Sequence, residues 1–229
     1  MKDVVVVTGA ARGIGNAIGE RLVADGFTVI GVDVGDQLAD TGFDPVQADL
    51  ADAAGREAVV DRVKRVGGRL TALVNNAGIT RDARLVNLSE DDVSAVLEVN
   101  LGAAYHLSSA LAPRLAEGGS IVNLASRAYL GNFGQYNYSM SKGGVVGLTR
   151  AFALELAPAV RVNAIAPGLV ATEMTMAIPA DIRQKMIDNI PLGRMGEPSE
   201  IAGLVSYLVA PGYITGHVFV VGGGRSLSR

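Results

Sequence analysis

The short β-branched runs of this chain have no polar face. "DVVVVT" (3–8), "TVIGVD" (28–33), "ALVNNAG" (72–78), "SIVNLAS" (120–126) and "VRVNAIAP" (160–167) are apolar at consecutive positions rather than at alternate ones. Strands like these must be covered on both sides, which requires a parallel sheet between two layers of helices. The intervening segments carry the helical period. Residues 13–26 place Ile14, Ala17, Ile18, Leu22 and Val23 on one face, and residues 52–67 carry Ala58, Val59, Arg62, Val63 and Val66 at three- and four-residue steps. A long helix is expected over 89–117, with Ser89 as N-cap ahead of Glu90, Asp91 and Asp92, and further helices over 137–157 and from Pro198 to 210. Short strands are expected at 45–50 and 217–224. Regular alternation of strand and helix implies right-handed crossovers. The expected fold is α/β: one doubly wound parallel sheet of about seven strands with helices on both faces, in a single domain over 1–229.

Ligands of such sheets bind beyond the C-terminal ends of the strands, so the residues at those ends carry the functional information. The first strand runs into "TGAARGIG", where Gly9, Gly13 and Gly15 allow a tight turn and Ile14 opens a helix. A helix start offers free N–H groups to phosphate, so this loop is expected to cradle a pyrophosphate. The second strand ends in Asp33, whose carboxylate can accept from ribose hydroxyls and repel a 2′-phosphate, pointing to NAD(H). Arg12, in the glycine loop, points the other way, to NADP(H). Asp49 and Leu50 end the third strand, where Asp49 can meet an adenine amino group or serve as a helix N-cap. The fourth strand ends in Asn75, Asn76, Ala77 and Gly78; the fifth in Ser126; the sixth in Pro167 and Gly168, with Thr172 following.

In "YNYSMSKGG", Tyr138 and Lys142 lie four residues apart at the start of a helix. Positions i and i+4 share a face, so phenol and ammonium project together. A free tyrosine titrates near about 10, and a neighbouring ammonium is expected to lower that value towards the range of useful proton exchange.

These motifs in this order, with "EVNLGA" around Asn100 and "PGLVAT" at 167–172, resemble the short-chain dehydrogenase/reductase family over essentially the whole chain. The resemblance implies a Rossmann fold and a catalytic tetrad of Asn100, Ser126, Tyr138 and Lys142. It also implies a nicotinamide cofactor contacted by Asn76, Gly78 and Thr172. With the strand-end residues, the expected cofactor set is Gly9, Arg12, Gly13, Ile14, Gly15, Asp33, Asp49, Leu50, Asn76, Ala77, Gly78, Tyr138, Lys142, Pro167, Gly168 and Thr172. "TRDARL" (80–85) and "GRM" (193–195) resemble 3-oxoacyl carrier-protein reductases, so the expected substrate is a 3-oxoacyl thioester. A dehydrogenase of alicyclic or other hydrophobic secondary alcohols is the alternative. A nucleotide-sensing protein without turnover is the rival from another class, and the intact tetrad argues against it.

Residues 173–195 carry Met174, Met176, Ile178, Met186, Ile187 and Ile190 and are expected to form a lid over a hydrophobic substrate. The 95–116 and 137–157 helices are apolar on more than one face, which implies burial on two sides, and relatives pair these helices as dimers or tetramers. The C-terminal "VFVVGGGRSLSR" resembles a segment that packs on a neighbouring subunit. A net charge of −3 offers no basic face for nucleic acid. The absence of cysteine, with only His106 and His217 far apart, leaves no metal site in view. No apolar run reaches the length of a membrane span and no signal-peptide pattern opens the chain, so a cytoplasmic protein is expected.

Overall fold

The structure, a computed structural model, describes residues 2–227, so Ser228 and Arg229 of the C-terminal segment lie outside the described residues. Seven strands form one parallel sheet: β1 (Asp3–Thr8), β2 (Thr28–Asp33), β3 (Asp44–Gln47), β4 (Arg69–Asn75), β5 (Gly119–Leu124), β6 (Val160–Pro167) and β7 (Val218–Val221), in the order β3-β2-β1-β4-β5-β6-β7. The helices are α1 (Gly13–Ala24), α2 (Ala53–Arg65), α3 (Glu90–Leu97), α4 (Ala103–Leu111), α5 (Tyr136–Glu155), α6 (Glu173–Met176), α7 (Ala180–Asp188) and α8 (Pro198–Val209). No helix among the described residues is long and apolar enough to cross a membrane.

The valine run of β1 explains the two layers. Val5 and Val7 point to one side and meet Ile18 and Leu22 of α1 and Ile201, Val205 and Leu208 of α8. Val4 and Val6 point to the other and meet Val59 of α2 and Leu107 and Leu111 of α4. Alternate side chains of a strand face opposite ways, so a strand buried on both sides has apolar residues at consecutive positions, here four valines. The chain runs outward from β1 through β2 to β3, then returns to place β4 on the other side of β1. The crevice at that reversal is where a doubly wound sheet takes its ligand.

β5 and β7 end two and three residues earlier than expected, at Leu124 and Val221, and three further boundaries differ. β3 stops at Gln47, so Asp49 and Leu50 lie in the turn before α2. β4 stops at Asn75, and the Asn76–Gly78 stretch is irregular backbone. The helix expected over 89–117 is interrupted: α3 and α4 are joined by a π-helical turn, Glu98–Gly102, and a 3-10 turn ends the segment at Arg114. Ser89 caps α3 as expected, accepting from the Asp92 N–H at 3.1 Å. A π-turn adds a residue to the helical repeat and re-aims its side chains, a distortion that periodicity does not reveal. Here it carries Asn100, which is 2% exposed.

Beneath the end of the sheet runs a buried polar chain. Asn75 and Asn123 are register partners on β4 and β5. The Asn75 amide donates to Ser108 Oγ at 3.0 Å and to Asn123 Oδ1 at 2.8 Å. Asn123 donates to Thr149 Oγ1 at 2.9 Å, and Thr149 to the Val145 carbonyl at 2.8 Å. The chain thus links α4, two central strands and α5. A buried group robbed of its partner keeps its desolvation penalty, about 1–3 kcal/mol each. Asn123→Leu is therefore expected to lower the unfolding free energy by about 1–3 kcal/mol, since the Asn75 amide keeps only Ser108 and the Thr149 hydroxyl loses its one donor. Urea unfolding should show a reduced midpoint at unchanged slope; a change below about 0.5 kcal/mol would mean the chain contributes nothing specific.

Candidate active site

The glycine loop is held against the β4 turn by side-chain bonds. Thr8 Oγ1 accepts the N–H groups of Asn76 (2.9 Å) and Ala77 (3.0 Å). The Asn76 amide donates to the carbonyls of Thr8 (2.9 Å) and Gly9 (3.0 Å). Gly9 has φ +64°, and a Cβ there would stand 2.9 Å from Ala77 Cα. A Cβ on Gly15 would overlap the Gly9 carbonyl. The loop therefore closes only with glycine at both positions. No side chain caps α1 at Arg12, so the N–H groups of its first turn have no intrahelical partner and face the crevice as anion donors. Gly13 sits below Thr172, with its Cβ position 3.5 Å from Thr172 Cγ2, so the β1 and β6 exits border the same cleft. These features fit a dinucleotide, with its pyrophosphate over the glycine loop.

Asp33 is tied into this cradle. Its Oδ2 accepts from the Ala11 N–H (3.0 Å) and its Oδ1 from Gly35 (3.3 Å), which leaves the carboxylate oriented at the end of β2. Arg12 is exposed and lies 3.5 Å from Glu173. Asp49 spends Oδ1 on the Ala51 N–H at 2.9 Å, closing the turn before α2, while Leu50 is buried in the core. Pro167 ends β6, and Gly168 is in contact with Gly222, 2.7 Å from its Cβ position to Gly222 Cα.

Asn100, Ser126, Tyr138 and Lys142 come together beyond β4 and β5. Asn100 Oδ1 accepts the Ile79 N–H (2.8 Å), and its amide donates to the Ile79 carbonyl (3.1 Å) and Ser141 Oγ (3.0 Å). A Cβ on Gly78 would lie 3.1 Å from Asn100 Oδ1 and 3.4 Å from Lys142 Nζ, so a bare backbone covers both groups. Lys142 Nζ donates to the Leu124 carbonyl at 2.7 Å and lies 5.7 Å from the Tyr138 ring centroid. Ser126 Oγ accepts the Ala128 N–H (3.1 Å), which leaves its own proton free to donate.

Two residues of this assembly went unread in the sequence. Asn137, fully buried, donates to the Arg81 carbonyl (3.0 Å) and the Asp92 carbonyl (3.4 Å) and accepts the N–H of Tyr138 (2.8 Å). Ser141 receives Asn100 and donates to the Tyr138 carbonyl (2.8 Å). Asn137 and Ser141 stand at i and i+4, one position before Tyr138 and Lys142. That spacing inside "YNYSMSK" was the available signal: the inward stripe of α5 begins polar and becomes apolar only at Val145.

The electrostatics correct one expectation. The Tyr138 pKa is raised, not lowered: burial disfavours the phenolate, the facing Ser126 hydroxyl opposes this, and the Asp82 carboxylate adds to it. Lys142 does not reverse the shift, because burial costs the ammonium too and pulls its pKa from 10.5 to about 8. A base whose pKa falls on folding binds fewer protons folded than unfolded between the two values. Stability attributable to Lys142 therefore rises with pH from about 8 to about 10.5. Wild type is expected to gain stability relative to Lys142→Met between pH 8 and 10 in denaturant titrations; parallel pH curves for the two proteins would contradict the buried ammonium.

Known proteins resemble this chain over nearly its whole length. The family described as Enoyl-(Acyl carrier protein) reductase matches residues 9–226. The 3-oxoacyl-(acyl-carrier-protein) reductase FabG of Thermotoga maritima is 40% identical over 96% of both chains. Nodulation protein G of Azospirillum brasilense is 39% identical over 97% of this chain and 98% of its own. Among solved structures, a mutant short-chain dehydrogenase/reductase of Serratia marcescens superposes with TM-score 0.92 at 33% identity, covering 99% of this chain and 98% of that one. The Brucella melitensis protein named Short-chain dehydrogenase/reductase SDR:Glucose/ribitol dehydrogenase does so with TM-score 0.93 at 33% identity, covering 99% and 97%. The chain belongs to the short-chain dehydrogenase/reductase family of nicotinamide-dependent oxidoreductases.

Proposed function

We propose that this protein interconverts a 3-oxoacyl thioester and its 3-hydroxyacyl counterpart, with Tyr138 as proton donor and acceptor. The observation that carries the reading is the convergence of Tyr138, Ser126 and Lys142 on one cleft beside a glycine-built dinucleotide cradle. The thioester class is supported by the names of FabG relatives at 37–40% identity. When bound, the nicotinamide supplies or takes the hydride at the carbonyl carbon. Ser126 donates a hydrogen bond to the substrate oxygen and holds it against the phenol. Tyr138 gives its proton to that oxygen in reduction and removes it in oxidation. Burial keeps the phenol protonated through neutrality, the state in which it can give its proton to the carbonyl oxygen. Lys142, anchored on the Leu124 carbonyl, holds positive charge near the phenol and offers its remaining donors to ribose hydroxyls. Asn100 fixes the Gly78–Ile79 backbone over both.

The cradle residues Gly9, Gly13, Ile14 and Gly15 would hold the pyrophosphate, Asn76, Ala77 and Gly78 the chain beyond it, and Pro167, Gly168 and Thr172 the nicotinamide end. NAD(H) is the proposed cofactor, because a carboxylate at the end of β2 can accept from ribose hydroxyls and would repel a 2′-phosphate. Segment 173–195 would act as a lid through Met174 and Met176, 61% and 52% exposed; Ile190, at 4%, belongs instead to the core. Tyr105 and Leu154, exposed on α4 and α5, would pack against a second copy in a dimer or tetramer.

Cofactor oxidation followed with acetoacetyl thioester and with cyclic ketones tests the reading. Tyr138→Phe is expected to lose about 10²–10⁴-fold in kcat while cofactor affinity changes little; comparable turnover in both proteins would remove Tyr138 from proton transfer. Asp33→Ser is expected to shift the NADH/NADPH ratio of kcat/KM by about tenfold or more towards NADPH. An unchanged ratio would take cofactor choice away from Asp33.

A further inference from the structure

Two arginines beside the strand ends of the cleft have no part in the reaction above. Arg127 directly follows Ser126 and opens the 3-10 turn Arg127–Leu130. Arg225 follows β7, its N–H bonded to the Gly222 carbonyl at 3.1 Å. Strand register brings them to one rim. Leu124 of β5 is level with Ile165 of β6, and Pro167 of β6 with Val221 of β7. Ser126 and Gly222 therefore flank the β6 exit, two strand spacings or about 10 Å apart, each with an arginine a few residues on.

Both arginines are half-buried, and among the described residues neither has a carboxylate within salt-bridge distance. Neither guanidinium donates a hydrogen bond to a described protein acceptor, yet none of their nitrogens is sealed from solvent. Arg161 shows the contrast. It is half-buried too, but donates to the carbonyls of Leu208 (3.0 Å) and Ala210 (2.8 Å) at the end of α8. Glu173 and Glu200, which follow β6, face Arg12 and Arg194 instead. Burial, and secondarily the Arg127 charge, lowers the Arg225 pKa from its ordinary value, so the two cations sense one another. Two like charges drawn together with no counter-ion among the described residues repel, and an oxyanion lying between them turns the interaction favourable.

We propose that Arg127 and Arg225 form an oxyanion clamp beside Ser126, and that the carbonyl substrate carries a carboxylate or phosphate held by this pair. The substrate part rests on the reading of Ser126 and Tyr138 as the reaction centre; the clamp itself does not. Three acetoacetyl compounds separate the sources of charge: acetoacetate carries a free carboxylate, acetoacetyl-coenzyme A carries phosphates, and the N-acetylcysteamine thioester carries neither. Wild type is compared with Arg127→Met, Arg225→Met and the double variant. In the double variant, the loss of kcat/KM on one charged compound is expected to exceed that on the neutral thioester by about tenfold or more, the worth of a charge-assisted hydrogen bond. The compound that suffers names the anion. Equal losses on all three overturn the substrate part. Sulfate provides a readout free of turnover. It is expected to raise the melting temperature of wild type through binding to the folded state, and to do so less in the double variant. Loss of the sulfate effect with no compound turned over by wild type would keep the clamp and sink the reductase reading. A sulfate effect of equal size in both proteins overturns the clamp. So does dissociation of an oligomer in the double variant with sulfate binding intact, because a neighbouring subunit would then supply the counter-ion.

Discussion

The junction of β1 with β4 is the constraint on which the remaining architecture depends. Thr8 is the last residue of β1, and its hydroxyl accepts two consecutive N–H groups from the chain leaving β4, while the Asn76 amide donates to the carbonyls of Thr8 and Gly9. These four bonds join segments 67–69 residues apart in sequence. They replace the sheet ladder where it ends, satisfying backbone groups that would otherwise be exposed at the floor of a crevice. Because the glycine loop and the Asn76–Gly78 turn are fastened to each other, the anion-binding start of α1 and the floor over Asn100 and Lys142 keep a fixed relation.

On the far side of that floor, electrostatics and burial oppose each other. Sequence spacing alone suggests that Lys142 lowers the pKa of Tyr138. In the folded chain the dominant effect is desolvation, which raises the phenol and lowers the ammonium together. Both groups are thereby biased towards their neutral forms, and a ligand that brings charge into the cleft would shift them again. The protein holds this pair in place with neutral groups: the Leu124 carbonyl, Ser141, Asn100 and Asn137. Since the inward face of α5 begins with three polar residues, its first two turns cannot simply sink into the core. They dock by hydrogen bonds, and the buried chain from Ser108 through Asn75 and Asn123 to Thr149 carries the same kind of contact further along the helix. Hydrogen bonding offsets the desolvation of most polar groups in this buried chain; Asn75 Oδ1 is the exception, buried without a described partner.

Sequence by itself determined the parallel sheet, the order of strands and helices, and the motifs at the strand ends. Those features are local: β-branched runs without a polar face, helical periods, and glycines where the backbone must turn. It also placed Tyr138 and Lys142 on one helix face, since four residues make one turn. What only the tertiary structure decided depends on distant partners. The π-turn that aims Asn100 has no period of its own and is recognised by its contacts with Ile79 and Ser141. Asn137 resembles any helical asparagine until the Arg81 and Asp92 carbonyls appear beside it. Arg127 and Arg225 are 98 positions apart and become neighbours only through the register of β5, β6 and β7. The sign of the Tyr138 shift likewise could not be read from the chain, because desolvation is a property of everything packed around a group and charge spacing is a property of the segment that carries it.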